Sequence, residues 1–61
     1  MRMVPTGSNR FRIEFKNADA GEFFYNHAHN RYSWDTSKSK IILGEDGISE
    51  ILNALNALNG E

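Results

Sequence analysis

Between Arg10 and Lys16 the chain alternates without a break, with Phe11, Ile13 and Phe15 on one side and Arg10, Arg12, Glu14 and Lys16 on the other. A period of two predicts a β-strand with one face buried and one in water. The run Glu22-Phe-Phe-Tyr-Asn-His-Ala-His29 predicts a second strand, and Asn17 to Gly21 supplies the turn before it. Its buried side stays open, because Phe23, Tyr25 and His27 alternate against Phe24, Asn26 and Ala28. Asn30 tolerates the positive φ of a tight turn and leads into a third strand over Arg31–Asp35. Thr36-Ser37-Lys38 then bends the chain into a fourth strand over Ser39–Leu43.

After Gly44 the period lengthens to that of a helix, with Ile48, Ile51, Leu52, Leu55 and Leu58 at helix-face spacing. Glu45, Asp46 and Glu50 near its start complement the helix dipole, and Gly60 suits its C-terminal end. The fold class expected is therefore α+β, a four-stranded antiparallel meander followed by one C-terminal helix (ββββα), in a single domain over residues 10–61. Residues 1–9 contain Pro5, Gly7, Ser8 and Asn9. They read as a flexible N-terminal arm, with a short edge strand as the alternative.

Size changes this picture. A chain of 61 residues leaves much of its apolar surface uncovered, since a domain this small buries only about 60% of what its unfolded chain exposes. With no cysteine, disulfides and thiolate zinc sites are excluded. Two histidines cannot close a structural metal shell. Association with a second copy is then the expected staple, and Ile48, Ile51, Leu52, Leu55 and Leu58 are the expected homodimer interface. No apolar run approaches a membrane span and no signal-peptide pattern is present, so a reducing, cytoplasmic setting is expected.

The formal net charge is −1, but it is unevenly spread. From Arg10 to Lys40 six basic residues stand against four acidic ones, whereas from Ile41 to Glu61 there are four acidic residues and no Lys or Arg. Such asymmetry points to one face that meets an anion. Tyr25, Tyr32 and Trp34 offer rings on which bases can stack, and Arg10, Arg12, Lys16, Arg31, Lys38 and Lys40 offer cations for phosphates. Tyr32 and Trp34 alternate onto the same face, so they belong together to the core or to a platform.

Nothing in the chain points to catalysis. It has no nucleophile elbow, His-Glu-x-x-His, glycine-rich phosphate loop or paired-carboxylate pattern, and neither cofactor nor small-molecule substrate is expected. His27-Ala-His29 has a metal-compatible spacing but no third ligand nearby.

The order Tyr32-x-Trp34-Asp35, Lys40-x-x-Leu43, then an acidic helix start with Ile48 and Leu52, resembles the repeat of the Whirly proteins. There Tyr-Asp-Trp-Glu leads through a basic strand into a Ser-Pro-x-Glu-Val helix. The chain looks like a compact, single-repeat version, as in the positive cofactor four type coactivators; kinetoplastid guide-RNA-binding proteins are similar to the two-repeat form. Gly44 and Glu45 stand where Whirly proteins have Ser-Pro, and the Lys-Gly-Lys-Ala-Ala-Leu element of plant Whirly chains is absent. The resemblance implies a homodimer with central helices whose strands present a groove to single-stranded DNA, largely without sequence preference. The expected function is non-catalytic single-stranded DNA binding in transcription, replication or recombination. RNA binding or annealing, and a small protein-interaction adaptor, are the alternatives.

Overall fold

The computed structural model describes residues 1–61 as four strands and one helix: β1 (Arg2–Gly7), β2 (Arg10–Phe15), β3 (Ala18–Asn26), β4 (Arg31–Asp35) and α1 (Glu45–Leu58). The strands form one antiparallel sheet in the order β1-β2-β3-β4. This is the expected ββββα order, but the strands are displaced by one toward the N-terminus.

Residues 2–7, expected as an arm with an edge strand as the alternative, are that edge strand. Two features allow it. Asn9 adopts φ 59° and closes the hairpin into β2, and Pro5 sits on an edge, where a missing N–H disrupts no ladder. The next hairpin is tighter than expected. Lys16 and Asn17 both take positive φ, 52° and 64°, which gives the two-residue reversal whose twist matches antiparallel strands. The residues expected as a turn, 18–21, therefore open β3.

Within β3 the register slips by one. Arg12 pairs with Glu22 and Glu14 with Asp19, so Ala20 and Gly21 together oppose Ile13. Gly21 has φ +102° at this bulge. A Cβ there would lie 2.4 Å from the Asp35 carbonyl oxygen and 3.0 Å from Trp34 Nε1. The close approach lets the Trp34 indole N–H donate to the Ala20 carbonyl at 3.0 Å.

β3 ends at Asn26, so His27 and His29 lie in the turn to β4 and not on a strand. The Asn26 side chain accepts the Ala28 N–H, and its carbonyl accepts the His29 N–H. Asn30 takes φ 53° as expected of it.

The fourth strand expected over Ser39–Leu43 does not form. Its alternation is nonetheless present: Ser39, Ile41 and Leu43 are half-buried, and Lys40, Ile42 and Gly44 are exposed. The missing ingredient is a neighbouring strand, since Lys40 N–H to the Asp19 carbonyl is the only backbone hydrogen bond from this segment to the sheet.

The core is Ile13, Ala20, Phe23 and Ile51, flanked by residues including Met3, Phe11, Phe15, Trp34, Ile41, Leu43, Leu55 and Leu58. Helix α1 covers one face of the sheet through Ile51, and Gly47 lets Phe15 and Leu43 approach its first turn. At the other end Gly60 has φ +77°. Its N–H donates to the Ala57 carbonyl and the Glu61 N–H to the Asn56 carbonyl, the Schellman closure that satisfies the last helical carbonyls.

Candidate functional site

Residues paired directly across neighbouring strands share a face, so the register sorts every side chain of the sheet. Phe11 faces Phe23, Phe23 faces Trp34, and Tyr25 faces Tyr32. These rings therefore line the helix-covered side. Arg2 faces Glu14, Arg10 faces Phe24, Arg12 faces Glu22, and Arg31 faces Asn26. Arg2, Arg10 and Arg12 thus lie on the open face, and Arg31, at the end of β4, starts from it but reaches round to Glu61 beyond α1.

This sorting corrects the expected platform. Tyr25, Tyr32 and Trp34 are on the opposite side of the sheet from Arg10 and Arg12, so the two sets do not form one ligand surface. Core packing decides it: once Phe23 is buried, Tyr25 and, by pairing, Tyr32 and Trp34 follow it to the helix side. At the open end of that side Tyr25 packs edge-on against Tyr32 and His27, with centroids 5.3 and 4.9 Å apart. The Tyr32 hydroxyl donates to the Asn9 side chain at 3.2 Å.

The ring that does accompany the arginines is Phe24, half-buried at the centre of the open face between Arg10 on β2 and Ser33 on β4. It was legible in principle, since alternation makes Phe23 and Phe24 face opposite ways and only one of them can be core.

Carboxylates are threaded among these arginines. Arg10 pairs with Glu22 at 3.3 Å, Arg12 with Glu14 at 2.9 Å, Arg2 with Glu14 at 3.5 Å, and Arg31 with Glu61. Asp35 ends β4 on the same face, where first the Ser37 backbone N–H and then its hydroxyl hold its carboxyl below the ordinary carboxylate range. Exposed pairs of this kind are worth only about 0.2–1 kcal/mol each, so a stronger anion can displace them.

The lysines sit elsewhere. Lys16 is at the β2–β3 turn, with Nζ 5.5 Å from the Phe15 ring centroid, and exposed Lys38 and Lys40 are on the segment between β4 and α1. None of the three enters a salt bridge.

The expected interface on α1 also divides. Ile51 is fully buried in the protomer's own core and cannot contact a second copy, and Leu55 and Leu58 pack against that core. Ile48 and Leu52 remain, 39% and 41% exposed.

No group of three or more His, Asp or Glu side chains is arranged to hold a metal ion, and no helix is long and apolar enough to cross a membrane. No family model, curated protein or solved structure matches this chain.

Proposed function

We propose that the protein binds single-stranded nucleic acid without catalysis, on the open face of its sheet. The observation that carries this reading is that Phe24 stands on the face that α1 leaves uncovered, with Arg10 directly opposite it and Arg12 next along β2 on the same face. A base stacks on Phe24 while guanidinium groups of Arg2, Arg10 and Arg12 exchange their carboxylate partners for phosphates. Ser33 and Asn26, on the same face, add hydrogen-bonding groups that tolerate any base. Stacking and phosphate contacts do not read sequence, so preference among sequences is weak.

We also propose that the working form is a homodimer joined through Ile48 and Leu52. An antiparallel crossing of two α1 helices sets Glu45, Asp46 and Glu50 of one copy against the uncharged Asn53, Asn56 and Asn59 of the other, with opposed dipoles.

The test is a titration of labelled oligo-dT, a matched duplex and a matched RNA at several salt concentrations. Single strands are expected to bind more tightly than duplex. The logarithm of affinity should fall with the logarithm of salt at a slope of about −2, as for three phosphate contacts on a single strand. Phe24→Ala removes stacking worth about 1–3 kcal/mol per base, and its binding should weaken accordingly while its circular dichroism stays unchanged. Equal affinity for duplex and single strand, or an indifferent Phe24→Ala variant, rejects the proposal.

A further inference from the structure

Asn59 is the one asparagine of the chain that precedes a glycine, and it is also the residue that closes the β4 edge. The Tyr32 N–H donates to Asn59 Oδ1 at 2.7 Å, and Asn59 Nδ2–H donates back to the Tyr32 carbonyl at 3.1 Å. One side-chain amide thus occupies the place that an incoming peptide unit would take on this edge strand. Asparagine before glycine is also the most readily deamidated pair in a polypeptide. No Cβ screens the glycine nitrogen from the carboxamide, and the glycine backbone turns freely into the geometry of attack. In the reaction the Gly60 nitrogen loses its proton and bonds to Asn59 Cγ, the Cγ–Nδ2 bond breaks and ammonia leaves. The succinimide that results takes up water and opens to aspartate or isoaspartate.

The fold holds this pair back. The Gly60 N–H donates to the Ala57 carbonyl at 3.1 Å, so the attacking nitrogen is occupied by the helix end. Both polar atoms of the Asn59 carboxamide are engaged by Tyr32. The Asn59 backbone, at φ −82° and ψ −3°, keeps a helical turn, and ψ must rotate away from that value before the nitrogen meets Cγ. Glu61, on the far side of Gly60, is tied to Arg31 at the start of β4. All of these restraints are local. The last turn packs through half-buried Leu58, whereas Gly60 and Glu61 are exposed, and such an end opens at a free energy well below that of global unfolding.

We infer that Asn59–Gly60 is a deamidation site gated by fraying of the last turn of α1, and that its conversion opens the β4 edge irreversibly. The product cannot rebuild the lock. A carboxylate still accepts the Tyr32 N–H, but where Nδ2–H met the Tyr32 carbonyl it sets oxygen against oxygen, and a carbonyl left without a donor is costly. Isoaspartate in addition lengthens the main chain by a methylene and displaces the Gly60 and Glu61 N–H groups that close the helix. The intact chain therefore has a closed edge, and the aged chain an open one with unpaired backbone groups at Tyr32. The inference is independent of the nucleic-acid reading, because it uses neither Phe24 nor the open face of the sheet.

The experiment incubates the full chain at neutral pH, in buffer and in urea, and follows the amide-to-acid mass change by peptide mapping with isoaspartate resolved. Asn59 is expected to convert before any other asparagine, and more slowly in buffer than in urea, the ratio giving the open fraction of the last turn. Leu58→Ala, its fold certified by circular dichroism, should convert about tenfold faster in buffer, as weaker packing raises that fraction. In urea it should convert at nearly the parent's rate. Gly60→Ala should slow conversion in urea, where no fold intervenes. In the deamidated chain, separated by ion exchange, the Tyr32 amide should exchange with solvent ahead of the rest of β4. Four results overturn the inference: another asparagine converting first, equal rates in buffer and urea, a Leu58→Ala chain that converts no faster than the parent in buffer, or a deamidated chain whose Tyr32 amide stays protected.

Discussion

Gly21 shows how much one residue decides. With φ +102° and the Asp35 carbonyl where a Cβ would go, it permits the bulge that brings the Trp34 indole to Ala20. Gly21→Ala combines an unfavourable backbone region with a steric clash, and a loss of about 3 kcal/mol is expected from such strain. Urea denaturation followed by Trp34 fluorescence measures it, and a change below about 1 kcal/mol would mean that the bulge relaxes freely. Phe24 is the converse case, a residue whose importance lies outward. Its neighbour Phe23 is fully buried, so Phe24 contributes little to the core and its loss should be felt by a ligand more than by stability.

Among the elements, α1 does three things at once. Ile51 closes the core, Gly47 admits Phe15, and Asn59, just beyond the last turn, caps the edge of β4. Asn59→Ala removes two hydrogen bonds, each worth about 1 kcal/mol net, and re-exposes a strand edge. It is expected to lose roughly 2 kcal/mol and to speed exchange of the Tyr32 amide ahead of its neighbours. Hydrogen exchange read by NMR separates this from general loosening, in which all of β4 would exchange faster together. The strand expected over 39–43 belongs here as well. A strand is defined by a partner, and none of the four strands reaches this segment, which bends at Ile41, beyond the bond from Lys40.

For the whole molecule, the split between a covered and an open sheet face organises the rest. The helix side collects the tyrosines and Trp34; the open side collects Arg2, Arg10 and Arg12 with Glu14 and Glu22. The exposed Ile48 and Leu52 give the dimer proposal its test. Sedimentation or light scattering is expected to find two chains per particle, and Leu52→Glu should yield a folded monomer, because a buried unpaired carboxylate is too costly to keep at an interface. A monomeric parent chain at comparable concentration would end that proposal.

The sequence by itself determined the periods, and through them the β-strand over 10–15, the strand over 31–35, the helix and the turn at Asn30. These depend on neighbours a few residues apart, within the reach of local backbone chemistry. The tertiary structure decided which strands found partners, which of two adjacent phenylalanines faced the core, and that Ile51 was needed at home. Alternation marks two sides of a strand but not which of them a helix will cover. That choice is made by long-range packing, where burying Phe23 against Ile13 and Ile51 turns the tyrosines inward and leaves the arginines in water.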